Sequence, residues 1–288
     1  MARQYDRSYD LTVIKSDGNS RIIKDLRVNF EITKSVLSFP NLCKLVIYNP
    51  NADTLSHLQT KFTKIVLNAG YVGNVRLLFT GEVRNVFQTK AGTDRLITVY
   101  AGDGERDWQN ATFNKTFTEN ITISKAIEEV LASFKDVTIG VINGLPNIAD
   151  KLRGQTLSGS SKDILNGFAD EYGFDWNIQD GEVIITPTES PLEGDEAILI
   201  NAATGMLGSP VITEIGVDVS TLLNPRLLPN KAFKLESLNA DIQMGNLFFR
   251  NIKRTNGEGI YKIQEVNFKG DSHEGDWSSM VKGRIING

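Results

Sequence analysis

Histidine and cysteine are all but missing from this chain of 288 residues, which holds two His and one Cys. A single cysteine closes no internal disulfide, so the chain needs no oxidising compartment. Cys43 lies in the apolar-rich run from Leu42 to Tyr48 and reads as a small core residue rather than a nucleophile. A zinc site wants several His or Cys ligands and tetrahedral closure. His273 with Asp271, Glu274 and Asp276 offers one imidazole in one polar turn, which falls short of that. His57 stands beside Leu58 on a short predicted helix and reads as solvent-facing or partly packed. No metal or cofactor is expected.

Long apolar runs are also missing. Nothing approaches the roughly 18–20 residues that span a bilayer, so no membrane partner is expected. Met1 to Arg7 has no apolar stretch of the signal-peptide kind. A cytosol-like compartment follows, in which the Asn-x-Ser/Thr sites at Asn110, Asn114 and Asn120 carry no meaning for glycosylation. The net charge of -4 lacks the basic excess that strong sequence-independent nucleic-acid binding requires; it suits a surface along which DNA slides without sticking. Gly102-Asp103-Gly104-Glu105 has no Gly-Lys-Ser/Thr ending, which argues against a phosphate loop. No Gly-x-Ser-x-Gly elbow occurs. Trp108, Trp176 and Trp277 stand in or beside predicted strands and turns, without the interleaved basic residues that single-stranded nucleic acid needs. The 35 acidic residues would supply a glycosidase-like pair by chance alone, and none lies in a recognisable active-site motif. The reading is therefore not an enzyme.

What is present is mainly β-pattern. Leu26, Val28, Phe30 and Ile32 alternate with polar neighbours, as on a strand with one buried face. Val75, Leu77 and Phe79 repeat this before Gly81, and Leu96 to Tyr100 gives another strand after the turn Ala91-Gly92-Thr93-Asp94, so a hairpin is expected. One helix interrupts: Asn51 to Asp53 offers a cap, and Leu55, Leu58 and Phe62 follow at helical spacing. A small barrel or sandwich fits this first region, a barrel removing exposed sheet edges.

The middle changes character. Ile123, Ile127, Val130, Leu131 and Phe134 share one helix face, with Thr122 or Ser124 as cap, and Val137 to Ile142 reads as a strand. A second helix follows Ser160-Ser161 through Ile164, Leu165, Phe168 and Tyr172, with Gly173 at its end. Phe174, Trp176 and Ile178 then alternate, Asp180-Gly181 makes a hairpin turn, and Val183 and Ile185 return. Two helix-then-strand units in tandem suggest a weak repeat. From about Ala197 β-character returns, with a single alternating run expected from Val211 to Val219. The order β, α/β, β places an inserted module between two β-domains, with limits near Asp107 and Glu196.

Four segments carry a family resemblance. Tyr261 to Phe268 runs into Lys269-Gly270-Asp271, a polar turn and Asp276-Trp277. Leu222-Leu223-Asn224-Pro225 is followed by Pro229 and the strand Ala232 to Ser237. Leu77 to Val83, holding Gly81, pairs with a strand ending at Asp103-Gly104. The last is Asp163-Ile164-Leu165 through Trp176 to Ile185. In order and spacing these resemble the baseplate hub proteins of contractile-tailed phages, a tail-tube-like, late control protein D-like family. Its pattern covers most of the chain and assigns structural roles to Gly81, Asp103, Leu222, Asn224, Pro225, Pro229, Gly270, Asp271 and Trp277. Asn230 stands where the family often has Gly, and Asn267 or Phe268 where many members have His.

The resemblance implies two tail-tube-like β-barrels, residues 1–106 and 197–288, flanking an α+β module at 107–196. It implies a homotrimer, forming a pseudo-sixfold ring that joins the tail tube to the trimeric spike and encloses a DNA channel. A sixfold surface meets a threefold one most simply when each chain offers two similar domains. Implied partners are further copies of the chain, the central spike, the tail tube or tube-initiator, baseplate wedge and tape-measure proteins, and DNA in transit. The implied location is the virion's tail baseplate, assembled in the host bacterial cytoplasm. A related contractile injection system is equally compatible. Two alternatives stay open: a hexameric tube-initiator or distal tail protein with one barrel per chain, and a baseplate-associated cell-wall hydrolase.

Overall fold

The computed structural model describes residues 6–142, 154–194, 196–242 and 257–286. The first β half holds β1 (Arg7–Ile14), β2 (Ser20–Ile23), β3 (Val28–Ser35), β4 (Leu42–Tyr48), the helix α1 (Ala52–Leu58), β5 (Lys64–Tyr71), β6 (Asn74–Ala91) and β7 (Asp94–Gly102). Next come α2 (Glu105–Asn110), β8 (Thr112–Phe117), α3 (Ile123–Leu131), β9 (Thr138–Ile142), β10 (Gln155–Ser160), α4 (Ser161–Tyr172), β11 (Phe174–Gln179) and β12 (Glu182–Pro187). The chain returns to β-structure in β13 (Ile198–Ile200), β14 (Met206–Ile212), β15 (Gly216–Leu222), β16 (Ala232–Leu235), β17 (Asp241–Ile242), β18 (Gly259–Asp271) and β19 (Trp277–Ile285). The fold is mainly β with an α+β insertion.

The two β halves are joined. β3 pairs antiparallel with β18 from Asn29↔Asp271 to Ser35↔Glu265, and this seam merges both halves into one sheet of 14 strands. Alternation explains the burial. Val28, Phe30 and Ile32 of β3 point into the core, as do Val266 and Phe268 of β18. A single core cluster runs through both halves, from Tyr9 to Ala101 and from Ile198 to Val281. The inserted residues have a second core of their own, built from α3, α4 and the β11–β12 hairpin around Trp176. On α3 the expected face is buried at Ile123, Ile127, Val130 and Leu131, each contributing on the order of 2 kcal/mol. Thr122 is its cap, accepting the Lys125 N–H.

The hairpin of β6 and β7 forms as expected, turning at Gly92. The β11–β12 hairpin turns at Asp180-Gly181, with φ of 54° and 87°, the paired left-handed geometry of a two-residue loop. Gly173 ends α4 at φ 71°.

Ser160 stands at the N-cap of α4 as the pattern implies, without a side-chain capping bond. Three expectations are corrected. Phe62 is not on α1: the Thr63 hydroxyl donates to the carbonyls of His57 and Thr60 (2.9 and 2.8 Å), the helix ends at Leu58, and Phe62 lies exposed at φ 60° under the Arg106 guanidinium. Val211 to Val219 is not one strand but the β14–β15 hairpin, pairing Val211 with Asp218 and Ile212 with Val217. The Thr213 N–H donates to the Gly216 carbonyl (2.9 Å) and the Gly216 N–H to the Thr213 hydroxyl (3.2 Å), so this polar turn reverses the chain. The α3–β9 and α4–β11 units do not place their strands alike, because β12 lies between them and β9 runs parallel to β12, hence against β11.

Candidate functional site

The motif positions fall into two groups. The first surrounds the β18–β19 hairpin. Gly270 pairs with Trp277 and with Phe30 in the adjacent strand. A β-carbon at Gly270 would lie 2.2 Å from Phe30 Cζ and 2.8 Å from Trp277 Cε3, so only glycine fits between these rings. The two rings meet edge to face with centroids 5.3 Å apart. The indole N–H of Trp277 donates to the Gly70 carbonyl (3.1 Å), fastening β19 to the first half.

Asp271 organises the turn. Its carboxylate accepts from the N–H groups of His273 (2.9 Å) and Glu274 (3.3 Å) and pairs with Arg27 at 2.6 Å. Burial alone would raise its pKa, but these bonds outweigh burial and hold it below the usual carboxylate value. Arg7 reaches over, donating to the carbonyls of Asp271 and Gly275 (both 2.7 Å). The acidic turn is thus committed to arginines, and among the described residues no group of three or more His, Cys, Asp or Glu side chains is placed to hold a metal. His57 donates from Nδ1 to the Asp53 carbonyl (2.9 Å) and is exposed. Cys43 is buried, and burial pushes its thiol pKa up.

The Leu222–Asn230 connector docks onto this hairpin. Leu222 is half-buried against the main core, and the Leu223 N–H donates to the Trp277 carbonyl (3.0 Å). The Asn224 N–H donates to Ser279 Oγ (3.0 Å), and Asn224 Oδ1 accepts the Arg226 N–H (3.1 Å), a side-chain-built turn. Pro225 and Pro229 are buried, each fixing φ in the connector. Asn230 takes φ 70°, the left-handed conformation that the family's glycine would take, and Thr186 of β12 donates to its Oδ1 (2.8 Å).

The second group lies where the module meets the sheet. A β-carbon at Gly81 would sit 2.6 Å from the Gly102 carbonyl oxygen, so β6 and β7 come close enough only with glycine there. Asp103, at the end of β7, is buried and accepts the backbone N–H groups of Asp180 and Gly181, the latter at 2.9 Å. Its own N–H donates to the Asn41 carbonyl (3.0 Å), while the Asn41 side-chain amide donates to the Ile178 carbonyl (2.8 Å).

Sequence reasoning missed the strongest contacts here. Lys34 is fully buried and its Nζ lies 2.6 Å from Asp180 Oδ2. Lys262, also buried, lies 2.9 Å from Asp175 Oδ2 and donates to the Pro187 carbonyl (2.8 Å). Lys34 was findable: it continues the inward register of Val28, Phe30 and Ile32. Lys262 sits between Tyr261 and Ile263 with no such signal.

The comparisons agree with this architecture. The profile of a family described as baseplate hub gp41 matches residues 10–250. Among curated proteins no sequence matches. Similar solved structures include the 43 kDa tail protein of prophage MuSo2 from Shewanella oneidensis, with TM-score 0.64, 10% identity and 97% of each chain covered. The tail protein from Neisseria meningitidis MC58 has TM-score 0.62 and 8% identity, with 96% of each chain covered. An Escherichia coli type VI secretion component, described as similar to the T4 tail proteins gp27 and gp5, has TM-score 0.57 and 8% identity over 91% of this chain and 74% of that one. At these identities the likeness is one of fold.

Proposed function

Because this chain belongs to the baseplate hub gp41 family and has a structural role in a tail baseplate, we propose that it acts as the hub itself. Three copies form a ring that joins a sixfold tube to a threefold spike and leaves a channel for DNA. The observation that carries this reading is the seam between β3 and β18, which sets two β halves side by side on one sheet and over one core. Three chains with two halves each offer six β units around an axis, which a one-barrel subunit does only as a hexamer.

The division of labour follows the chain. Residues 1–106 and 197–288 supply the tube-like ring domains, and residues 107–196 form a module outside that repeat. The chemistry asked of the ring is geometric, with no turnover. Gly81, Asp103, Leu222, Asn224, Pro225, Pro229, Gly270, Asp271 and Trp277 hold the halves and the module in register. The partners in this reading are the central spike, the tube or its initiator, and neighbouring wedge and tape-measure proteins. The ring is built in the host cytoplasm and ends in the virion.

Electron microscopy of the purified protein at high concentration, with and without co-expressed spike, tests the reading. Threefold rings with an open channel and two similar lobes per chain are expected. Sixfold rings with one lobe per chain would transfer the assignment to a tube-initiator or distal tail protein. Compact monomers even with spike present, together with carboxylate-dependent turnover of peptidoglycan, would transfer it to a hydrolase.

A further inference from the structure

β18 changes partner at Gln264. It pairs with β16 as far as Lys262 and with β3 from Glu265 on, and its register against β19 shifts between Ile263 and Glu265. A groove of about 680 Å³ lies at this break. Its floor holds Glu265, Lys282 and Asp218, which stand opposite one another in β18, β19 and β15. Its walls are two turns, Val36 and Leu37 after β3 and residues 213–215 between β14 and β15. Leu37 is 59% exposed and Ile215 69%. Three acids, Glu214, Asp218 and Glu265, meet one cation, Lys282, so the groove pairs apolar walls with a net negative charge.

β2 has the complementary chemistry. It ends the path of the large sheet and, among the described strands, pairs with β1 alone, so its outer edge is open to another chain. Ile22 is 58% exposed and stands between Arg21 and Lys24, and residues 20–24 contain no acid. Lys24 pairs with Asp10 at 2.8 Å, while Arg21 lies 3.6 Å from the exposed Asp53, a pair that solvent weakens. A row of paired residues runs from Thr33 of β3 across β4, β7, β6, β5 and β1 to Ser20 of β2. Ser35, two residues past Thr33, lines the groove. β2 and the groove thus lie at the same end of the strands, yet β2 is six strands along the sheet from β3, roughly 30 Å at the usual strand spacing. The exposure of Ile22 shows that β2 does not fill the groove of its own chain.

We propose that the groove receives β2 of a neighbouring copy, with Ile22 seated between Leu37 and Ile215 and Arg21 facing Glu214 and Asp218. This rests on the homotrimeric hub reading and says which surfaces meet in it. The apolar anchor supplies the buried contact, and the opposed charges fix its register and reject a wrong approach. The two patches are different, so the contact is heterologous: each copy gives one strand and accepts one. Contacts of that kind close into a ring when the rotation allows, whereas a contact of one patch with itself stops at a dimer.

Cysteine cross-linking of the full chain tests the contact, because Cys43 is buried and only introduced thiols are accessible. Ile22→Cys and Ile215→Cys are combined in one chain, oxidised at a concentration where light scattering gives a trimer, and run on a non-reducing gel. The double variant should yield covalent dimers and trimers, and each single variant only monomers. Trimers by light scattering with no covalent ladder overturn the proposal and leave the hub reading standing. A ladder as strong from Ile22→Cys alone means that like patches meet, and overturns it too. So does a thiol-to-amine cross-linker on Ile215→Cys that joins the co-expressed spike instead, since the groove then belongs to the spike. Absence of any trimer, with and without spike, removes the hub reading and this contact together. In the chain without added cysteines, Arg21→Glu should weaken trimer formation about tenfold or more, and Glu214→Lys in the same chain should restore part of it. Weakening without any such rescue overturns the pairing.

Discussion

Lys34 and Lys262 grip opposite ends of one inserted strand. Lys34 Nζ lies 2.6 Å from Asp180, just past the end of β11, and Lys262 Nζ lies 2.9 Å from Asp175, near its start. One lysine comes from β3 and the other from β18, the two strands that join the halves. The module is therefore fixed to both sides of the seam by buried ion pairs. Such pairs specify position more than they add stability, because desolvation offsets much of the attraction. The desolvation is visible in Lys262, whose pKa burial lowers against the pull of Asp175.

Removing one partner should cost far more than removing both. Lys262→Met leaves Asp175 facing an apolar neighbour, and a loss of about 3 kcal/mol is expected. The double variant Lys262→Met with Asp175→Leu should recover most of that loss. Urea unfolding of the wild type, both single variants and the double variant checks this, and a double-variant loss equal to the sum of the two single losses would mean that the pair does not couple.

Gly270→Ala should destabilise by about 1–3 kcal/mol, as overpacking of a filled core does. The cause is steric, since the added methyl meets the Phe30 and Trp277 rings. Phe30→Leu in the same chain should restore part of the loss, while alone it should be destabilising. Melting curves for the four proteins test the sign of this coupling, and additive losses would contradict the packing argument.

Asn230 makes a sharper distinction. Its positive φ favours Gly over Ala, while its Oδ1 accepts from Thr186 and its Nδ2 has no partner among the described residues. Asn230→Gly should lie within about 1 kcal/mol of wild type, the relief of strain offsetting the lost hydrogen bond. Asn230→Ala loses the bond and keeps the strain, so it should be less stable than Asn230→Gly by about 1 kcal/mol. Chemical denaturation of both variants decides; Ala at or above Gly would show that the left-handed conformation is not enforced.

Local structure was legible wherever a side chain's environment is set by its near neighbours. The alternation in β3, the Thr122 cap and apolar face of α3, Gly173 after α4 and the Asp180-Gly181 turn all depend on a few adjacent residues. The motif around Gly270 and Trp277 was also visible, although its reason, two rings closing on one glycine, appears only in three dimensions. Illegible parts depend on distant partners. Nothing near Lys262 announces Asp175, because 87 residues separate them. The pairing of β9 with β12 rather than β11 is a choice between strands of similar apolar content. Phe62 continued a helical spacing, and the Thr63 hydroxyl, whose partners lie three and six residues back, ended it.

The seam also sets a timetable for folding. Thr33 and Asn267 hydrogen-bond across 234 residues of chain. A ribosome adds about 5–20 residues per second, so β3 waits for β18 for roughly ten to fifty seconds after it emerges. Through that interval β3 can pair with β4 but has an open edge on its other side, a surface onto which other strands can add. Glu31 and Lys34 within β3 place charge along that waiting edge, which disfavours casual pairing with apolar strands. The residues that close the molecule are made long after β3, so truncation within β18 or β19 should leave a chain prone to aggregate, however complete its first half.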